Sequence, residues 1–162
     1  ETQFIKAYEE YADAIFRYCY YRVFNRELAK ELAQEIFMKT WKTITAGSEV
    51  KNIRAFLYRV ARNIVIDHSR KKHEASLDEL HDQGFDPSIE LTQTLHNQID
   101  ANTAIGQIEQ MDNLYREVLL LRFVDGFSPK EIAEMIGETQ NVISVRINRG
   151  LKRLRTQAEV KK

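Results

Sequence analysis

The sequence predicts an all-α protein: two small helical domains joined by an acidic linker, the second domain containing a helix-turn-helix. Apolar residues recur at helical spacing along most of the 162 residues, and two prolines and six glycines are too few for an all-β or disordered chain. The chain is neutral, yet its charge is segregated. Residues 51–73 and 141–162 each contain seven Lys/Arg and one Asp/Glu, whereas residues 74–115 contain nine Asp/Glu and no Lys or Arg. An acidic segment between two basic ones suggests a linker between two binding domains.

Three amphipathic helices are predicted for the first domain, residues 1–72. The second helix begins at an Asn25 cap and continues to about Ile44. Gly47 and Ser48 then indicate a loop over residues 45–52. The first helix is predicted from apolar and aromatic residues at helical spacing: Phe4, Ala7, Tyr8, Tyr11, Ile15 and Tyr18.

The third helix, residues 53–72, combines an apolar stripe with a basic face. Its stripe follows the i, i+3, i+4, i+7 pattern of one helix side, in Ile53, Phe56, Leu57, Val60, Ala61 and Ile64. A basic face that includes an aromatic ring suits a nucleic-acid partner. A basic helix taken alone is more often an ordinary solvated surface, and it is the second basic helix further along the chain that favours nucleic-acid binding. The candidate nucleic-acid-binding residues on this face are Tyr58, Arg59, Arg62, Asn63, Arg70 and Lys71.

The linker is predicted over residues 73–111, with a helical second half. Residues 73–85 show little periodicity. Asp86 followed by Pro87 is typical of a helix start, and a polar helical pattern extends from Ile89 to Met111. The block is expected to be strongly solvated because it contains so many carboxylates.

Several kinds of site are not expected in this chain. His73, His81 and His96 lack ligand-like spacing, so no metal site is predicted. Cys19 is the only cysteine, which excludes an intrachain disulfide and fits a reducing cytoplasm. No apolar run reaches the roughly 20 residues of a membrane-spanning helix, so membrane insertion is not expected. Catalytic and phosphate-loop motifs are also missing, so neither enzymatic activity nor a cofactor is expected.

The second domain, residues 112–162, carries the signature of a helix-turn-helix. Asp112 is predicted to cap a helix over residues 113–123. Ser128 and Glu131 form a predicted capping box for a short helix that ends at Gly137. Thr139 then caps a longer basic helix that continues to about residue 157. Its candidate DNA-contacting residues are Ser144, Val145, Arg146, Asn148, Arg149 and Lys152.

These two basic helices, in this order, resemble those of the extracytoplasmic-function (ECF) sigma factors, the minimal class of RNA polymerase sigma subunit. Residues 29–37 (AKELAQEIF) with Trp41 are similar to the family's core-polymerase-binding helix. Residues 56–63 (FLYRVARN) with Asp67 and Arg70 are similar to its −10 promoter helix. Residues 116–137, with REVLLLRF and then GFS, EIA and Gly137, are similar to its −35 domain.

The resemblance implies a binding protein with no chemistry of its own. Its partners would be core RNA polymerase, single-stranded −10 DNA, duplex −35 DNA and an anti-sigma factor. The third helix and the loop before it would capture unstacked −10 bases, and the 140–157 helix would enter the major groove of the −35 element. The second helix would dock on core polymerase through Glu31, Leu32, Gln34, Glu35 and Met38.

Two other classes of protein stay open from the residues alone. One is a stand-alone helix-turn-helix transcription regulator with an all-helical sensor or dimerisation domain. The other is a helical module whose basic faces bind an acidic protein. The basic face of the first domain counts against the regulator, because a sensor domain needs no second nucleic-acid surface. Co-purification with core polymerase would separate a sigma factor from both alternatives.

Overall fold

The computed structural model describes residues 1–76 and 97–160, which form helices and short connections with no strand among them. The chain divides into two compact units, Glu1–Gly84 and Phe85–Lys162. The predicted all-α fold is therefore confirmed. Residues 77–96, including the predicted helix start at Asp86 and Pro87, lie outside the described residues. None of the described helices has the length and apolar character required to cross a bilayer.

The first unit contains three helices that pack on one another: α1 (Thr2–Val23), α2 (Arg26–Thr45) and α3 (Ile53–Ser76). The helix α3 continues past residue 72, where the sequence suggested that the linker begins. All three helices contribute to a single core, as expected for amphipathic helices, which are stabilised mainly by packing their apolar faces against one another. The buried apolar residues are Ala7, Ile15, Tyr18, Cys19, Ala29, Leu32, Ile36, Phe37, Leu57, Tyr58, Ala61, Ile64 and Val65.

Asparagine side chains fix the starts of α2 and α3. The predicted Asn25 cap is confirmed, since its Oδ1 accepts a hydrogen bond from the Leu28 N–H at 3.0 Å. Asn52 does the same for α3, accepting from the Ala55 N–H at 3.0 Å. The sequence analysis missed this second cap, although Asn is a favoured N-cap residue. Both caps define where the α1–α2 and α2–α3 connections end.

The second unit contains α4 (Asn97–Glu109), α5 (Asn113–Leu119), α6 (Pro129–Ile136) and α7 (Gln140–Val160). The helix predicted over 113–123 is only partly α-helical, because residues Leu120–Val124 form a π-helical turn. Four consecutive residues, 118 to 121, are buried. A π turn has more residues per turn than an α-helix, so neighbouring side chains stay closer to one side. Burial of these consecutive side chains on one side of the helix thus explains why the segment is π-helical and not α-helical as predicted.

The structure confirms the positions of the four predicted caps in the second unit. Ser128 and Glu131 form the reciprocal capping box of α6, and Gly137 ends this helix with a φ of 83°. Thr139 Oγ1 accepts from the Val142 N–H at 3.2 Å at the start of α7. Asp112, in contrast, makes no side-chain cap. Its carboxylate accepts a hydrogen bond from Arg153 Nη1 at 3.1 Å instead, so Asp112 occupies the predicted N-cap position without a side-chain capping bond.

Candidate nucleic-acid and protein interfaces

One exposed stripe runs along α3. Arg59, Asn63, Ile66 and Arg70 follow the i, i+4, i+7, i+11 spacing of one helix side, and all four are exposed. Arg70 also forms an ion pair with Asp67 at 3.3 Å. Ile66 is 44% exposed, and the sequence analysis did not single it out. The sequence could have indicated Ile66, because it is an apolar residue two positions after the last residue of the predicted apolar stripe.

The other predicted residues of α3 lie in different environments. Lys71 is exposed near the end of the helix, and Arg62 is half-buried at the edge of the stripe. Tyr58 is only 2% exposed, so its predicted place on the basic face was wrong. Its ring packs edge-on against Tyr18, with 5.4 Å between ring centroids. The reason is that α3 packs against both α1 and α2, which buries a wider arc than the single predicted stripe.

Arg54, at the start of α3, is half-buried beside the Tyr58 ring of its own helix. Its guanidinium carbon lies 5.9 Å from the Tyr58 ring centroid, and the side chain is half-buried. Burial raises the pKa of the Tyr11 phenol in α1, and the hydrogen bond and negative charge of Glu10 add to this effect. The charge of Arg54 opposes that pKa increase. The charge of Arg54 thus acts on a side chain of α1, the helix that packs against α3.

The connection between α2 and α3 is exposed, and a hydrogen bond from α1 holds the end that leads into α3. Gly47 adopts a φ of 87°, a conformation that glycine accepts readily. The Gln3 amide of α1 donates to the Val50 carbonyl at 3.3 Å. With the Asn52 cap that follows, this contact holds residues 50–52 beside α1. Residues 46–49 are exposed at the start of the basic helix.

An apolar groove of about 510 Å³ lies between α1 and α2. Phe4 packs edge-on against Trp41, with ring centroids 4.9 Å apart, and Tyr8 packs in the same way on Phe37 at 4.9 Å. Met38 is 56% exposed at the edge of this ring cluster. The complete lining is Glu1, Phe4, Ile5, Tyr8, Gln34, Phe37, Met38 and Trp41.

Four of the five predicted polymerase-binding residues share one exposed face of α2. Glu31, Gln34, Glu35 and Met38 are all exposed at i, i+3, i+4 and i+7. Of these, Gln34 and Met38 also line the groove. Leu32 is 4% exposed and belongs to the core, so its predicted contact role was wrong. It lies on the side of α2 that is buried in the three-helix unit.

The second helix of the predicted helix-turn-helix, α7, exposes a mixed apolar and basic face. Val145, Asn148, Arg149 and Lys152 are exposed at i, i+3, i+4 and i+7. Ser144, which was also predicted to face DNA, is half-buried.

Arg146 differs from the other basic residues of α7. Its side chain is 19% exposed and pairs with Glu138 at 3.1 Å, next to the turn that precedes the helix. Arg153, further along, is also engaged. Its guanidinium carbon lies 4.5 Å from the Tyr115 ring centroid, in addition to its contact with Asp112. Arg149 and Lys152 are therefore the better exposed cations of the predicted DNA-contacting set.

Within the described parts of the chain, no group of three or more His, Cys, Asp or Glu side chains could hold a metal ion. The geometry instead consists of two exposed basic helices, one in each unit, and one apolar groove.

Comparison with known proteins agrees with this two-unit arrangement. Residues 7–74 match the family model for sigma-70 region 2, and residues 104–154 match that for sigma-70 region 4. The ECF RNA polymerase sigma factor SigW of Bacillus subtilis (strain 168) is 29% identical over 164 residues, which cover 91% of this chain and 84% of SigW. The ECF RNA polymerase sigma factor BldN of Streptomyces coelicolor is 29% identical over 147 residues. That match covers 86% of this chain but about half of BldN, 54%.

A solved structure has the same fold. It is the sigma factor RpoE in complex with the anti-sigma factor NepR from Bartonella quintana. The TM-score is 0.81 with 21% sequence identity, and the match covers 100% of both chains. At this identity the likeness concerns the fold.

Proposed function

Since the chain belongs to the ECF sigma factors of RNA polymerase, we propose that its two helical units direct core polymerase to a promoter and help to open it. The observation that carries the proposal is the presence of both sigma-70 regions in one chain, each with an exposed basic helix. In this proposal the protein acts in the cytoplasm by binding alone, with no reaction or cofactor of its own. The stand-alone regulator is not favoured, because it would not need the region 2 helices.

The groove between α1 and α2 supports docking on core polymerase. Exposed apolar clusters of this kind are typical of protein interaction sites. Met38 lies at the groove edge, and Glu31 on the same helix face supplies negative charge, which favours a basic partner surface. Glu35 on this face forms an ion pair with Lys39 at 3.5 Å. We include an anti-sigma factor as a second protein partner, because the RpoE structure contains one.

The α3 stripe and the preceding connection support capture of single-stranded −10 DNA. Unstacking a base costs a few kcal/mol, so a protein that opens DNA must offer compensating contacts. Arg59 and Arg70 would contact phosphates, which position the strand without specifying its sequence. Asn63, between them, has both a donor and an acceptor for a base edge or the backbone.

Replacing Asn63 by alanine is expected to impair promoter opening more than polymerase binding. Loss of one hydrogen bond at about 1 kcal/mol corresponds to a several-fold decrease in open complex. Permanganate footprinting of unpaired thymines, with a parallel affinity measurement for core polymerase, would separate the two effects. Gln110→Ala, an exposed amide in the other unit, is the matched control. Wild-type opening by Asn63→Ala would remove this residue from the interface.

The exposed face of α7 supports binding to duplex −35 DNA. A recognition helix of a helix-turn-helix lies in the major groove with its N-terminal half against base edges. Val145 and Asn148 lie in that half of α7, and Arg149 and Lys152 follow on the same face. Val145 offers an apolar contact of the kind that favours a thymine methyl group.

Replacing Arg149 by alanine is expected to weaken −35 duplex binding and to lower its salt dependence. Removal of one phosphate contact should reduce the slope of log affinity against log salt by about one. Fluorescence anisotropy across a salt series measures both quantities. Arg17→Ala removes the same charge from an exposed position in the first unit. A loss confined to one base pair, with an unchanged slope, would make Arg149 a base-reading residue instead.

Run-off transcription with core polymerase tests the whole proposal. We expect the protein to start transcription from a cognate promoter and to co-purify with the polymerase. Binding to the same promoter duplex without polymerase, together with no stimulation of transcription, would favour the stand-alone regulator.

A further inference from the structure

An acidic side chain lies next to the start of α7, the helix that we propose for binding to duplex DNA. Glu138 is exposed in the turn between α6 and α7. The N-terminal part of the second helix of a helix-turn-helix lies against base edges, so a negative charge in this turn would lie close to the phosphates of bound DNA. Like charges repel, and a carboxylate here weakens duplex binding unless it has another role.

The backbone on both sides holds Glu138 in place. The N–H groups of Gly137 and Glu138 both donate to the Ala133 carbonyl, at 2.9 and 3.1 Å. Thr139, the next residue, caps α7 through its hydroxyl. Hydrogen bonds on either side leave this backbone little freedom, so the Glu138 side chain starts from a defined position in the turn.

The Glu138 carboxylate pairs with Arg146 of α7. Its Oε1 accepts a hydrogen bond from Arg146 Nη2 at 3.1 Å, and the side chains of Glu138 and Arg146 are 39% and 19% exposed. Salt screens exposed charges more than partly buried ones, so burial of most of Arg146 favours the pair. Arg146 therefore meets DNA with its charge already balanced by a neighbouring acid, whereas Arg149 and Lys152 are exposed on the same helix.

We propose that Glu138 is a specificity-determining residue of the −35 interface, because its ion pair with Arg146 suppresses sequence-independent binding to duplex DNA. This inference rests on the proposed function of α7. Sequence-independent affinity comes almost entirely from cations that contact phosphates. Arg146 cannot contact a phosphate without breaking the pair or bringing the carboxylate close to the DNA. Since specificity is the ratio of specific to non-specific affinity, a lower non-specific affinity raises it.

The test measures binding of the full chain to a fluorescein-labelled duplex of random sequence across a salt series. Glu138→Gln should bind this duplex at least about threefold more tightly than wild type, and the slope of log affinity against log salt should steepen by about one, because Arg146 becomes available to one phosphate. Its melting temperature should equal that of wild type or fall slightly below it, since the variant loses an ion pair and an acid near a helix N-terminus. Tighter binding by a protein that is no more stable indicates a role in DNA binding and not in folding.

The double variant Glu138→Gln/Arg146→Gln replaces the ion pair by two neutral side chains. It should bind with the affinity and salt slope of wild type, because in both proteins this pair of positions offers no net charge to a phosphate. The matched control Glu134→Gln removes the same charge from an exposed position of α6 and should also bind like wild type. If the double variant kept the tighter binding of Glu138→Gln, the carboxylate would act without Arg146 and the proposal would be overturned. If Glu134→Gln bound as tightly as Glu138→Gln, the effect would be one of net charge alone, which would also overturn it.

Arg149→Ala, measured on the same duplex, separates this inference from the proposed function. A lower salt slope in Arg149→Ala, together with the changes expected for Glu138→Gln, supports both. A lower slope in Arg149→Ala with wild-type binding by Glu138→Gln overturns only the role of Glu138. Wild-type slopes in both variants would mean that duplex DNA does not bind at α7, and would overturn this inference together with the proposed −35 contact.

Discussion

Replacing Met38 by aspartate is expected to reduce affinity for core RNA polymerase at least about a hundredfold. The substitution would place a carboxylate at the apolar groove that we propose as the docking surface. Burying an uncompensated charge costs several kcal/mol, and each 1.4 kcal/mol is a tenfold change in affinity. The fold should tolerate the change, because Met38 is 56% exposed in the isolated chain. Fluorescence-detected binding to core polymerase measures the loss.

Val160→Asp is the matched control for this experiment. Val160 is 82% exposed near the end of α7, so the substitution adds the same charge and removes a comparable apolar side chain outside the groove. We expect it to bind core polymerase like wild type. Circular dichroism melting should give similar temperatures for both variants. Wild-type affinity of Met38→Asp would show that core polymerase docks elsewhere on the protein.

Local sequence signals predicted the helices of the described chain well, because each helix carries its own periodicity and many carry their own caps. Asn25, Ser128 and Thr139 act within three residues of their partners. Interactions of this range depend little on tertiary packing, so the sequence alone specifies them. The same argument covers Gly137, whose positive φ ends α6.

The sequence could not predict in the same way how much of the surface of each helix is buried by its neighbours. Tyr58 was placed on the basic face because it lies outside the apolar stripe, yet its ring packs beside Tyr18. Leu32 was assigned to a contact surface, although it lies in the core. In both cases the deciding factor is a neighbouring helix that is distant in sequence. Tertiary packing then overrides the helical-wheel assignment.

The apolar groove of the first unit also arises only from tertiary packing. Phe4 and Met38 meet in the groove although α1 and α2 are separate segments of sequence. Arg22 and Lys72 line one pocket of about 310 Å³ although they lie fifty positions apart along the chain. The sequence identified the basic character of α3 but not the partner residues of α1. A surface formed by two helices can be predicted only when the packing of these helices is known.

Replacing Gly150 by valine is expected to destabilise the second unit by about 1–3 kcal/mol, the usual cost of overpacking a core. A Cβ built on Gly150 would lie 2.9 Å from Leu119 Cδ1, closer than real Cβ contacts. Leu119 is fully buried, so it has little room to move aside. Valine is a better helix former than glycine, but the difference in helix propensity is only roughly a few tenths of a kcal/mol. For a domain of this size the melting temperature should fall by roughly 4–8 °C per kcal/mol.

Gly106→Ala in α4 is the control, because nothing lies within 4 Å of a Cβ at that position. It should leave stability unchanged or raise it by up to about 1 kcal/mol through helix propensity. Binding to −35 duplex, measured where both variants are folded, provides a second readout. Gly150 allows α7 to approach α5, so valine should displace the recognition helix from its support and weaken duplex binding. A Gly150→Val protein with wild-type melting and wild-type duplex affinity would show that Leu119 repacks without moving α7, and that this close approach does not position the recognition helix.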